Sequence, residues 1–126
     1  MLLNFKHAAG ALTVAVLAAT ASFGWAADAV KDYPSKPVRI VTAFGPGSAS
    51  DIVARLLAEE LQAVFKQAFV VENRPGASGL LAAEMVAKSA PDGHTLFLST
   101  NTAHSVNPHL FRKLPYEPIA SFTPVA

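Results

Sequence analysis

Several things are missing from this 126-residue sequence, and each absence closes a door. There is no cysteine, so no disulfide framework and no thiolate metal site can be built. Charge of one sign is not in surplus: from Ala27 onward nine Lys and Arg, the chain's ten less Lys6, face nine Asp and Glu. With no basic stripe, nothing points to a nucleic-acid partner. A strained G-x-S-x-G elbow for a nucleophilic serine is also wanting; Gly76-Ala77-Ser78-Gly79-Leu80 comes nearest and fails at its last position. His94, His104 and His109 have no metal-ligand spacing with any carboxylate, so neither a metal nor a cofactor is expected. What remains is a chain that is 52% hydrophobic, enough for a packed core of at most one domain.

The N-terminus reads as a secretory signal peptide over residues 1–26. Lys6 supplies its positive charge, Ala8 to Thr20 is an uncharged apolar run, and Gly24-Trp25-Ala26 offers a small–x–small cleavage site. Cleavage after Ala29 is the second choice. A membrane anchor is disfavoured because the strongly apolar part ends near Ala19, short of the roughly 20 residues that a span requires. Export of a cysteine-free globular chain fits a bacterial periplasm. At the other end, Phe122-Thr123-Pro124-Val125-Ala126 reads as the opening of another strand, so residues 27–126 are expected to be the front portion of a longer protein.

The stretch from Val38 to Arg55, VRIVTAFGPGSASDIVAR, organises everything between. Val38, Ile40, Val41, Ala43 and Phe44 form a strand apolar enough for the centre of a parallel sheet. A Gly/Ser turn follows, then a helix to about Phe65 that Ser50 or Asp51 can cap. Its inward stripe is expected to be Ile52, Val53, Leu56, Leu57, Leu61, Val64 and Phe65, with an Asp51–Arg55 pair on its flank. A second strand ends at Glu72-Asn73. A second helix over Leu80–Ser89 turns Leu81, Met85 and Val86 inward, and Thr95 to Leu98 is the third strand. A short helical turn is expected around Val106 to Phe111. His94 and His109 are placed on the surface.

The order β-α-β-α-β with short links makes all three strands parallel through right-handed crossovers, in the order 2-1-3. This is a doubly wound α/β sheet, whose ligands sit outside the carboxyl ends of the strands. Loops 45–51, 73–79 and 99–104 converge there. A strand handing over to a helix leaves N–H groups without partners and the positive end of a helix dipole, so this edge suits an anion. One candidate is a dinucleotide: Gly45 and Gly47 match the first two glycines of the fingerprint, and Glu72 stands where a ribose-binding acid belongs. Against it, Ser50 replaces the third glycine and Pro46 removes a donor N–H. Asp51 could cap the helix, pair with Arg55 or meet a ligand. Arg74 suits a salt bridge with Glu72 better than a ligand clamp, and His104 suits a loop-fixing hydrogen bond or a ligand contact better than a catalytic base.

Three segments, YPSKPVRIVTAFGPGSASDIVARLLAEEL, VVENRPGASGLLAAEMVAKSAPDGHTLFLST and HSVNPHLFRKLPYEPIASFTPVA, resemble in order and spacing the Bug family of periplasmic solute-binding receptors of tripartite tricarboxylate transporters. The likeness runs through residues 33–126. It implies a two-lobed, Venus-flytrap protein of which this chain is most of the first lobe, a monomer serving membrane permease subunits. It further implies that a small organic carboxylate is held without chemistry by loop amides, hydroxyls and ordered water. On that resemblance the first ligand loop is Phe44, Gly47, Ser48 and Asp51. The second is Thr100, Asn101, Thr102, Ala103 and His104, and the Gly76 to Gly79 segment, with Gly76 and Ser78, lines the same cleft. Two departures stand out: Ser48 replaces a usual glycine, and Thr102-Ala103 displaces an expected hydroxyl.

Overall fold

β1 (Val38–Thr42) is the spine of the fold. In the computed structural model, which describes residues 32–126, it pairs in parallel with β2 (Phe69–Asn73) on one side and β3 (Thr95–Leu98) on the other. The order is therefore β2-β1-β3, as the crossover rule requires. Val38, Ile40, Val41 and Thr42 are fully buried or nearly so, as expected of a strand covered on both faces. The expected signal peptide lies outside the described residues.

The period of two along the strands sorts their side chains onto two layers. Val38, Ile40 and Phe69 face α1 (Ala49–Phe65), where Ala54 and Ala58 complete the cluster with Leu61, Val71, Leu96 and Leu98 around it. Phe97 faces the opposite layer, which holds Ala83 and Ala87 of α2 (Leu80–Ala87) together with Ala103, Tyr116 and Phe122. The second layer is aromatic: Phe97 and Phe122 stack at 5.8 Å, and Tyr116 meets Phe122 edge-on at 5.8 Å.

The helices do not bury the stripes expected of them. Along α1 the inward residues are Asp51, Ala54 and Ala58, whereas Ile52, Val53, Leu56, Leu57, Val64 and Phe65 are exposed, Val64 by 71%. Positions 51, 54, 58 and 61 also recur at helical spacing, and this stripe of smaller residues won. The bulk is already supplied by Ile40, Phe69 and Val71 of the sheet, so a close helix needs small side chains in close-packed space. The same holds for α2, where Ala82 and Ala83 are buried and Leu81 is exposed. His94, expected at the surface, is buried just before β3. Its amide donates to Asp92 Oδ1 at 3.0 Å and its Nδ1–H to the Asp92 carbonyl at 2.9 Å.

Beyond β3 the chain makes a wide π turn, Thr102–Val106, that runs into α3 (Asn107–Leu110). The helical turn thus begins four residues before its expected start at Val106.

Candidate functional site

The loop between β1 and α1 is closed on itself. Gly47 adopts a left-handed φ of 81°, and Ser48 caps the helix, its Oγ accepting the Asp51 amide at 3.2 Å. The cap is thus Ser48, not Ser50 or Asp51. The Gly47 N–H donates to Asp51 Oδ2 at 2.9 Å and the Ser48 N–H to the Gly45 carbonyl at 3.2 Å. The donors expected to stand open at Gly47 and Ser48 are therefore spent within the loop. Of the four amides that helix geometry leaves without a backbone acceptor, those of Ser48 and Asp51 are satisfied by the Gly45 carbonyl and Ser48 Oγ, and those of Ala49 and Ser50 remain at the helix start.

Asp51 is the knot of this loop. It is 3% exposed, and both carboxylate oxygens are occupied: Oδ1 by Asn73 Nδ2 at 2.9 Å and Arg55 at 3.0 Å, Oδ2 by Gly47 N–H and by Arg55 Nε at 3.1 Å. The Arg55 hydrogen bond, then the Gly47 amide and Asn73, hold its pKa down at about 2. Asn73 Nδ2 also donates to the Phe44 carbonyl at 2.9 Å, so the end of β2 grips the exit of β1. Asp51 therefore braces the loop and has no free oxygen to offer a ligand.

The second loop is unusual in its backbone. Gly76, Ala77, Ser78 and Gly79 all have positive φ: 126°, 47°, 54° and 81°. For Ala77 and Ser78 this conformation costs roughly 1–2 kcal/mol each, so it survives only where surroundings impose it. Three contacts do so. Gly79 N–H donates to the Gly76 carbonyl at 2.9 Å, and Asn107 Nδ2 donates to the Ser78 carbonyl at 3.0 Å. A Cβ at Gly79 would lie 3.2 Å from the Ala43 Cβ, so the loop rests against the end of β1.

The third loop carries hydroxyls in series: Ser99 Oγ donates to the Thr100 carbonyl at 2.9 Å, and Thr100 Oγ1 to Thr102 Oγ1 at 3.2 Å. Between the three loops lies a cleft of about 220 Å³, walled by Ala43 and Phe44, by Gly76, Ser78 and Gly79, and by Ser99, Thr100, Thr102 and Ala103. Among the described residues, no charged side chain lines it, its polar surface consists of hydroxyls and backbone, and Phe44 is its one large apolar side chain.

Of the residues named from sequence, Phe44, Gly76, Ser78, Thr100, Thr102 and Ala103 meet in this cleft, while Gly47, Ser48 and Asp51 stand behind the first wall. Asn101 is exposed outside the lining. His104 is turned away from it: its Nδ1–H donates to the Pro118 carbonyl at 2.7 Å, and its ring meets Phe122 edge-on at 5.1 Å. Glu72, the ribose-binding candidate, is held between Arg39 (Nε at 2.9 Å) and Arg74 (Nε at 2.6 Å), with its pKa lowered chiefly by Arg39. That pairing takes from the dinucleotide reading the acid it needs. Asn107 and Tyr116, which fasten the walls, carried no local sign of that role beyond an Asn-Pro pair and an L-P-Y run.

Residues 53–126 match the tripartite tricarboxylate transporter family receptor, TctC. The chain belongs to this family. A UPF0065 protein of Bordetella bronchiseptica is 45% identical to this TctC-family chain over 94 residues, which cover 75% of the chain and 28% of the relative. MatC from Rhodopseudomonas palustris, solved with bound malate, superposes with a TM-score of 0.65 at 44% identity over 74% of the chain and 32% of MatC. The periplasmic binding protein BugD superposes at 0.57 and 37% identity, over 71% of the chain and 30% of BugD. The TctC-family chain thus spans about a third of its relatives' length or less, and its sheet is part of one lobe of such a receptor.

Proposed function

We propose that this chain contributes first-lobe walls to an extracytoplasmic receptor, which captures a small organic carboxylate and passes it to the permease subunits of a tripartite tricarboxylate transporter. The observation that carries the reading is the uncharged, hydroxyl-lined cleft at the carboxyl ends of three parallel strands. Such a cleft neutralises an anion with dipoles, which in a partly dehydrated site serve in place of a cation. The malate held by MatC and the periplasmic setting of BugD support the class of ligand and the compartment. The receptor acts as a monomer in the periplasm, exported by the signal peptide of residues 1–26, and binding involves no reaction. Ligand contacts fall to Phe44, Gly76, Ser78, Thr100 and Thr102, with Asn101 at the mouth and Gly47, Ser48 and His104 shaping the walls from behind.

Titration of the chain with malate, followed by amide NMR shifts, tests this. Responses should cluster at residues 43–44, 76–79 and 99–103, and Thr102→Val should weaken the apparent affinity about ten-fold, the loss of one hydrogen bond to a charged group. Shifts clustered elsewhere, or an affinity indifferent to Thr102→Val, would overturn the assignment.

A further inference from the structure

Asn107 opens α3 and is fully buried, beside a layer of alanine, leucine and aromatic side chains. Its amide reaches both long walls of the cleft. Nδ2 donates to the Ser78 carbonyl at 3.0 Å and to the Tyr116 hydroxyl at 3.4 Å, and that hydroxyl donates onward to the Ala103 carbonyl at 2.8 Å. The Asn107 backbone N–H meanwhile donates to the Thr102 carbonyl, closing the π turn. Ser78, Ala103 and Thr102 all line the cleft. By contrast, the Asn107 Oδ1 is buried with no hydrogen-bond partner among the described residues.

That orphaned oxygen is informative. A leucine of nearly the same shape would remove that orphan but would leave the Ser78 carbonyl without its Asn107 donor. Packing of the layer therefore does not call for asparagine; the Ser78 carbonyl does. What the amide group adds is direction: a donor aimed at the carbonyl of Ser78, inside four consecutive positive-φ residues that the backbone would not keep unaided.

We propose that Asn107 is the positioning residue of the cleft, holding the left-handed Gly76–Gly79 run and, through Tyr116, the π turn at a set separation. The proposal rests on the receptor reading for what the cleft holds, but the geometry it assigns can be read without any ligand. The side chain acts through the carbonyls behind the walls, so it sets which peptide groups and hydroxyls face inward. A relay of this kind couples the second and third loops, so a shift in one wall is felt by the other.

The decisive variant is Asn107→Leu, studied in the full chain. One-bond Cα–Hα couplings and backbone shifts report the sign of φ at Ala77 and Ser78 with no ligand present, and malate titration reports the cleft. The expected result is loss of positive φ at both residues and a malate dissociation constant raised about ten-fold. Adding Ala77→Gly, outside the cleft lining, makes the left-handed conformation inexpensive there and should restore part of that loss, a rescue that a merely structural packing role would not give. A folded Asn107→Leu protein that keeps positive φ at Ala77 and Ser78 overturns the proposal. Should that variant fail to fold, Tyr116→Phe decides: the relay requires the amides around both Ser78 and Ala103 to move, and movement at only one of them, or at neither, overturns it. If Asn107→Leu unlocks the loop while the unmodified chain shows no response to malate, the positioning role stands and the receptor reading falls.

Discussion

The loop after β1 and the loop after β2 reach the same cleft and are held by opposite means. The first is tied by a charge: buried Asp51 collects Gly47, Asn73 and Arg55, and in doing so satisfies the Gly47 amide of its own turn. The second is tied by a neutral amide, Asn107, and keeps four residues in a conformation that only glycine adopts freely. The charged knot gives a turn whose Gly47 and Ser48 donors are spent. The neutral pin gives a backbone under strain, turned into the cleft at Gly76, Ser78 and Gly79. One loop is therefore braced from within, and the other lends its backbone to the lining of the cleft. The amides of Gly47 and Ser48 are spent in that bracing.

The contrast can be broken most severely at Asp51. Asp51→Ala leaves the Gly47 N–H, Asn73 and Arg55 without their common acceptor. It should lower the thermal midpoint, read by circular dichroism, by more than any single substitution in the second loop. If the midpoint holds, the charged knot is not what closes the first loop. Acid tests the same point more gently. The Asp51 pKa is depressed in the fold, so its contribution is fully present above the ordinary value of 3.8 and is lost as pH falls toward about 2. Asp92, lowered to about 2 chiefly by Lys36 at 2.8 Å, titrates in the same window. Recording the profile in an Asp92→Asn background removes that contribution, and the Gly47 amide shift reports Asp51 directly. Over that range the Gly47 amide should shift well before Ala77 and Ser78, whose stretch is pinned by the neutral Asn107 amide; simultaneous movement would erase the distinction.

Smaller changes sharpen it. Ser78→Gly in the otherwise unaltered chain removes left-handed strain at the cost of a more flexible unfolded state, so stability should rise by about 0.5–1 kcal/mol in denaturant melts. A loss instead would mean that Ser78 is not strained. Leu57→Gln, on the exposed side of α1, should change stability by no more than about 0.5 kcal/mol and leave both loops untouched.

Much of this arrangement is legible in the sequence. Parallel pairing in the order β2-β1-β3 follows from two short crossovers and an apolar first strand, and the convergence of three loops follows from that order. The pairs Asp51–Arg55 and Glu72–Arg74 are legible from spacing alone. The buried face of α1 is not. Its apolar residues are spread over an arc wider than one face, and the sheet, whose side chains already filled the interlayer space, selected the alanine side. His94 is misplaced for a related reason: a polar type predicts exposure, yet its backbone and ring both bond to Asp92, which lets it sit inside. Asn107 is hidden more deeply, because its partners lie 29 residues back and 9 residues ahead in the chain. Only the folded register brings them together.

The uncharged wall has one further consequence. Among the described residues, nothing on the lining gains or loses a proton. On these walls, an acid would therefore meet dipoles whose strength does not change with pH.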